Sequence, residues 1–281
     1  MTMEKIILSN FDYRDIVHPE DQAIVEKLES LPGFKSFMMN TIWALREKYI
    51  AIEYGGNGIH ANETCLFDLD NQLKDVCHTL GVEKSTDLSL MWCYGIKADT
   101  MGAKHPHITS MSGTIDLLSE EELSFMIGHE LGHQICGHKP YHIFLETLYM
   151  PIINMVPGGK IWISTVRSTL LDWYRLSDYT ADRMGLLACQ NLNIALQCMI
   201  KMAGIPKKYY NNIDVKSFIK QAHEFDSMFS GISNQLVNYV SVNTACSPWL
   251  IARAAKLLEW YDSGKYHYIL DKHHGKSRLD M

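Results

Sequence analysis

The chain has no apolar stretch approaching the roughly 18–20 uninterrupted residues that a membrane-crossing helix needs. The nearest, residues 143–163, is broken by Glu146, Pro151, Asn154, Pro157, the pair Gly158-Gly159 and Lys160. It reads as a helix, a break and a second helix start, and its apolar length leaves room only for a weak, shallow contact with a membrane surface. No C-x-x-C pair is present. The seven cysteines (Cys65, Cys77, Cys93, Cys136, Cys189, Cys198 and Cys246) are odd in number and widely spaced. They speak against a disulfide framework and for a reducing, cytoplasmic setting in which most thiols pack as small apolar groups. An excess of positive charge is also missing. The net charge of −6 is thinly spread, which argues against nucleic acid as a partner, because phosphate binding wants a basic face. Met1 to Arg14 contains acids and no apolar core, so no secretory signal is read there. Internal repeats and low-complexity linkers are lacking, and no feature of the sequence speaks to an oligomeric state.

What is there is the composition of an ordinary soluble globular protein of 281 residues, 47% hydrophobic and 21% charged. His18-Pro19-Glu20-Asp21 is a helix start, with Pro early and acids in the first turn. Pro32-Gly33 ends that helix, a second runs through Phe37, Ile42, Trp43 and Leu45, and Gly55 to Gly58 reads as a turn. Leu66, Leu69, Leu73, Val76, Cys77 and Leu80 share one face of a third helix, closed by Gly81. Two strands are expected, at Leu88 to Tyr94 and His107 to Met111, with a glycine-containing loop between them. Further helices fit Ser168 to Asn191, Ile194 to Met202, Val215 to Phe229, Ile232 to Val240 and Pro248 to Trp260, ahead of a polar tail from Gly264.

The chemistry-bearing segment follows Ser119-Glu120-Glu121-Glu122, a capping box that opens a helix from Leu123 to His138. Within it, His129-Glu130-Leu131-Gly132-His133 is an H-E-x-x-H. Histidines at i and i+4 lie on one helix face, so both imidazoles can reach one tetrahedral ion. The Glu beside the first His can take a proton from an ion-activated water and return it to a leaving amine. Two histidines on a solvated face are the plain alternative. Phe125, Met126, Ile127, Leu131 and Ile135 surround the motif, however, so the helix is buried, and a buried His pair needs a partner. The reading is therefore a zinc site for peptide-bond hydrolysis. A third ligand is not found at the H-E-x-x-H-x-x-G-x-x-H spacing, where Cys136 and Lys139 stand, and His138 is out of register. Downstream carboxylates, Glu146, Asp172, Asp178 and Asp182, are the candidates, with Asp178 and Asp182 sharing one helix face.

Several blocks in order carry a family likeness: Lys97 to Gly102, Pro106 to Gly113, Asp116 to Leu123, His129 to His138, Trp173 to Arg183, and Pro248 to Trp260. With them the chain, from about His18 to Tyr266, resembles the HtpX and CAAX prenyl protease family of gluzincin metallopeptidases, in particular its soluble bacterial members. The resemblance implies an α+β, mostly helical zincin-like domain with a small β-sheet beside the zinc helix. It implies Glu130 as general base, His129, His133 and Asp178 as zinc ligands, and Asp182 as support behind them. It places a peptide or protein substrate along a groove at Lys97-Ala98 and near Ser247. Three positions depart from the family pattern: Asp178 where the family has Glu, Lys97 where it has Asn, and Ser247 where it has the His of a His-Pro pair. The expected organisation is a helical N-terminal extension over 1–60, a zinc metallopeptidase domain over 61–263 and a polar tail over 264–281. The expected activity is zinc-dependent endopeptidase. The alternative those three departures raise is a zinc-stabilised, catalytically weak interaction or regulatory protein descended from a protease. His105 and His107 read as a polar loop end, His273-His274 as a solvated tail, Cys136 as core, and Lys201, Lys207 and Lys208 as solvated surface.

Overall fold

Pro19, with φ already helical and no amide hydrogen to satisfy, starts helix α1 (Pro19–Glu29), and the ring of His18 accepts the Glu20 amide. The computed structural model describes residues 5–83, 86–101, 106–150, 155, 158–229 and 249–274. Helix α2 (Phe34–Phe37) follows left-handed Gly33 and passes through a π-helical stretch, Met38–Trp43, into α3 (Ala44–Asn57). The turn expected from Gly55 to Gly58 is corrected here: α3 continues through Gly55 and Gly56, and its cap is Gly58. A helical glycine costs about 1 kcal/mol relative to alanine, a penalty the preceding turns override.

Strand β1 (Ile59–His60) precedes α4 (Phe67–Thr79), whose buried face carries Leu69, Leu73, Val76 and Cys77. Strands β2 (Asp87–Met91), β3 (Ala98–Met101) and β4 (His107–Met111) complete a four-stranded sheet of order β1-β2-β4-β3. β2 and β4 run parallel, and the outer pairs are antiparallel. The strand expected to reach Tyr94 stops at Met91, opposite Met111, where β4 itself ends. Trp92 and Tyr94 then face solvent, 88% and 71% exposed. β3 arises where a loop was read, and it forms an edge of the sheet.

After the short α5 (Ser112–Leu117), the capping box forms as expected. Ser119 Oγ accepts the Glu122 amide at 3.3 Å and Glu122 Oε2 accepts the Ser119 amide at 2.7 Å. It opens α6 (Glu120–Ile135), which is buried from Glu122 to His133. Lys201 is not solvated surface: its Nζ donates to the same Glu122 oxygen at 2.6 Å. Helices α7 (Lys139–Leu148), α8 (Gly159–Cys189), α9 (Leu192–Met202), α10 (Val215–Phe229), α11 (Leu250–Asp262) and α12 (Lys265–His274) follow. α8 begins nine residues before the expected Ser168. Within the expected helix, break and helix start over 143–163, α7 ends at Leu148 and α8 starts at Gly159, and residues 151–154, 156 and 157, like the helix placed at Ile232 to Val240, fall outside the described residues. The polar tail is corrected as well. Residues 265–274 form α12, burying Tyr266, Ile269 and His273, with His273 Nδ1 2.8 Å from the Ile269 carbonyl.

The main core joins α4, the sheet, α6, the second half of α8, α9, α11 and α12, and it takes in Leu8 and Ile16 from before α1. A second cluster packs α1, α2 and the π-helical stretch on α7 and the first half of α8 through Leu28, Phe34, Phe144, Leu170 and Trp173. α6 and α8 touch through backbone. A Cβ on Gly132 would stand 3.0 Å from Met184 Cβ and 3.1 Å from Ala181 Cα, and one on Gly128 would stand 3.1 Å from Gly185 Cα and nearer still to Ala188 Cβ. Absent side chains on α6 thus let the histidine helix lie directly on the helix that carries Asp178.

Candidate metal centre

His129, Glu130 and His133 occupy the middle of α6, all buried, because the helix is covered on one side by α8 and α9 and on the other by the sheet edge. The contact with α8 brings Asp178 to them. One ligand atom from each of His129, His133 and Asp178 lies within 4.8 Å of the others. His129 Nε2 and His133 Nε2 are 3.1 Å apart, and Asp178 Oδ1 is 3.3 Å from His133 Nε2. The alternatives separate by position. Asp172 is exposed and pairs with Arg175 at 3.2 Å, and Glu146 pairs with Arg46 at 3.5 Å.

The other ring nitrogens fix the protonation pattern. His129 Nδ1 is 2.9 Å from Asp182 Oδ1. Arg253, from α11, donates Nε to Asp182 Oδ2 at 2.8 Å and Nη2 to Asp182 Oδ1 at 2.6 Å. Burial alone would raise the Asp182 pKa, but the Arg253 charge and hydrogen bonds, then His129, hold it below the usual carboxylate value. Ionised Asp182 can only accept, so His129 carries a hydrogen on Nδ1, the tautomer whose Nε2 is free to ligate a cation. His133 Nδ1 is likewise engaged, 2.9 Å from His138 Nδ1. Burial, the largest cause, holds the His133 pKa well below the usual histidine value and so keeps the ring neutral. With both Nδ1 atoms engaged elsewhere, the two Nε2 atoms 3.1 Å apart converge on one point that a cation can occupy. The donor set therefore fits a small divalent cation.

Glu130 stands beside this point. Its Oε2 is buried with no hydrogen-bond partner among the described residues. Burial pushes its carboxyl up to about 6, against the pull of His129 and Lys139. A carboxylate so placed is available to a water and basic enough near neutrality to take its proton. Lys139, noted in the sequence only as a failed ligand position, is ion-paired with Asp99 on β3. Burial would lower its pKa, but Asp99 and Glu130 outweigh that and raise it to about 12. These groups line a cavity of about 350 Å³ that runs from β3, with Lys97, Ala98 and Asp99, past Glu130 to Tyr174 and Asp178 on α8. The Lys97 backbone is pinned by Thr114, whose Oγ1 accepts its amide at 2.8 Å and donates to its carbonyl at 2.7 Å. Ser247 lies outside the described residues.

Sequence reasoning missed Arg253, Asp21, His138 and Lys139. Arg253 had no local signal, because its partner is 71 residues away. His138 could have been noticed as a third buried histidine five residues after His133.

An α+β domain whose buried central helix aims two imidazoles and a carboxylate at one point, with a free carboxylate beside them, has the architecture of a metallopeptidase. Comparison with known proteins agrees. The model of peptidase family M48 matches residues 92–260, more than half of the chain. The chain belongs to peptidase family M48. It is similar to Plastoglobule-localized metallopeptidase 48, chloroplastic, of Arabidopsis thaliana, with 26% identity over 276 residues, 98% of this chain and 80% of that protein. No solved structure matches it. Among the described residues, no helix is long and apolar enough to cross a membrane.

Proposed function

We propose that the chain is a zinc-dependent metalloendopeptidase of the HtpX-like type, with His129, His133 and Asp178 as the zinc ligands and Glu130 as the general base. The observation that carries this reading is the pair of imidazole Nε2 atoms 3.1 Å apart, with Asp178 Oδ1 at 3.3 Å from the second. A tetrahedral zinc ion with bonds of roughly 2.0–2.1 Å has donor–donor edges of roughly 3.3–3.4 Å, so the set is close to ready. Zinc bound there supplies Lewis acidity toward a scissile carbonyl and acidifies water. Asp182 and Arg253 hold the first imidazole in the ligating tautomer. Glu130 takes the proton of the attacking water on its free oxygen and returns it to the leaving amine. A substrate peptide adds to the sheet at the open edge of β3, along Ala98 to Met101, and so passes Lys97 and Glu130. Asp178, one methylene shorter than the family Glu, would reach a bound ion because the glycines of α6 bring the two helices together. The six cysteines among the described residues are all free, which supports a reducing compartment such as the cytoplasm.

The test is hydrolysis of a peptide library by zinc-loaded protein and by Glu130→Gln. Gln keeps the shape and cannot act as a base, so zinc and fold are retained and cleavage is lost. Equal cleavage by both sinks the assignment of Glu130. Zinc uptake with no cleavage by either favours the rival reading, a zinc-stabilised protein with weak catalysis and an interaction or regulatory role, which the departures at Lys97, Asp178 and Ser247 motivate.

A further inference from the structure

We propose that His138 and Asp21 form a buried relay that orients His133 for metal binding, so that helix α1 is part of the metal centre. His133 Nδ1 lies 2.9 Å from His138 Nδ1, and His138 Nε2 lies 3.2 Å from Asp21 Oδ2. All three side chains are buried. Asp21 receives Trp173 Nε1–H on Oδ1 at 2.7 Å and the Thr180 hydroxyl on Oδ2 at 2.8 Å. The Thr180 hydroxyl is itself directed, because its oxygen accepts the His18 amide at 3.0 Å and its hydrogen is left for Asp21. With two donors aimed at it and His138 beside it, Asp21 is an ionised acceptor. Burial opposes this, but those contacts together hold its pKa below the usual value.

A consistent set of hydrogen-bond directions links the three residues. An ionised Asp21 requires a hydrogen on His138 Nε2. That tautomer of His138 leaves Nδ1 as the acceptor facing His133 Nδ1. His133 Nδ1 must therefore donate, which leaves the His133 Nε2 lone pair facing His129 and Asp178. The relay does for the second histidine what Asp182 and Arg253 do for the first, with an imidazole inserted between ligand and carboxylate. Its anchor is on α1, more than a hundred residues before the ligand, and α1 is fixed to α8 through Trp173 and Thr180. His138 and Asp21 are positioning residues, since neither reaches the substrate groove.

This inference rests on the zinc reading of His129, His133 and Asp178. The experiment is a chelator-competition titration with zinc alone, on the full chain, for wild type, Asp21→Asn, His138→Gln and Leu28→Ala. Thermal unfolding of each metal-free protein is recorded in parallel. Leu28 packs in the cluster between α1 and α8 and has no polar atom to offer the relay, so Leu28→Ala reports the cost of loosening α1. The expected result is a 10–100-fold loss of zinc affinity in Asp21→Asn and His138→Gln, the size usual for groups behind a ligand. Leu28→Ala is expected to unfold at lower temperature and to bind zinc as wild type does. Wild-type affinity in both relay variants overturns the relay and leaves the zinc site standing. Equal loss of affinity in Leu28→Ala also overturns it, because general loosening of α1 then accounts for the effect. A wild-type chain that takes up no zinc overturns the underlying site reading, and the relay with it.

Discussion

Gly128→Ala is the sharpest structural perturbation. Gly128 precedes His129 and lies against α8, where an added Cβ meets Gly185 Cα at 3.1 Å, the Met184 carbonyl oxygen at 3.2 Å and Ala188 Cβ closer than either. Carbon atoms pack at roughly 3.5–4.0 Å, and two of these three neighbours are backbone atoms that cannot rotate away. The alanine gains about 1 kcal/mol of helix propensity. Overpacking a filled core costs about 1–3 kcal/mol, and more when backbone must move. With three contacts violated together the upper part of that range applies, and a net loss of about 1–2 kcal/mol remains. At about 2–4 °C per kcal/mol for a large domain, the melting temperature of metal-free protein falls by roughly 2–8 °C. The assay is thermal unfolding followed by far-ultraviolet circular dichroism. The companion variant is Ala188→Gly in the Gly128→Ala background. It removes the nearest clash and recovers part of the loss, with a coupling of at least about 0.5 kcal/mol in the double-mutant cycle. An unchanged or raised melting temperature in Gly128→Ala refutes the claim that close backbone packing of α6 on α8 sets the site.

Other expectations follow from the same geometry. Asp178→Ala weakens zinc binding far more than Asp182→Ala, because the first removes a metal bond and the second a supporting one; Asp178→Glu keeps zinc. The reverse order in a competition titration would displace the ligand assignment by one helical turn. Arg253→Met leaves the Asp182 carboxylate buried without its cation and destabilises the protein by about 3–5 kcal/mol, and adding Asp182→Asn recovers part of this in chemical denaturation. Acid lability follows from Asp21 and Asp182, whose folded pKa values lie below the ordinary 3.8. Their contribution is complete above that value and is lost as pH falls through the lower folded values. Denaturation midpoints of metal-free protein therefore drop below about pH 4, and Asp182→Asn in the Arg253→Met background flattens that drop.

The parts of this account readable in sequence are those written in short-range spacing. The Ser119 capping box, the apolar face of α4, and His129 and His133 on one turn of a buried helix all depend on residues within a few positions of each other. The choice of Asp178 over Asp172 needed the family pattern, since both lie on the same helix. What stayed hidden depends on contacts across the chain. Arg253 and Asp21 reach the histidines from α11 and α1, and neither segment advertises a polar buried face. β3 has only four residues, Ala98 to Met101, without the alternation that marks a half-buried strand, and pairing with β4 alone makes it one. Gly55 and Gly56 read as a turn because local preference says so, and α3 simply continues through them. α12 looked like a polar tail because Lys265, Asp271 and Lys272 mask the widely spaced Tyr266, Ile269 and His273 that bury it.

Whether His129, His133 and Asp178 together hold a zinc ion is tested by counting zinc per chain after stripping, re-loading and removal of excess metal. The expected result is about one zinc per chain in wild type, falling toward none in His133→Ala. A wild-type chain that stays folded and takes up no zinc after re-loading, or a His133→Ala chain that binds as much as wild type, would contradict it.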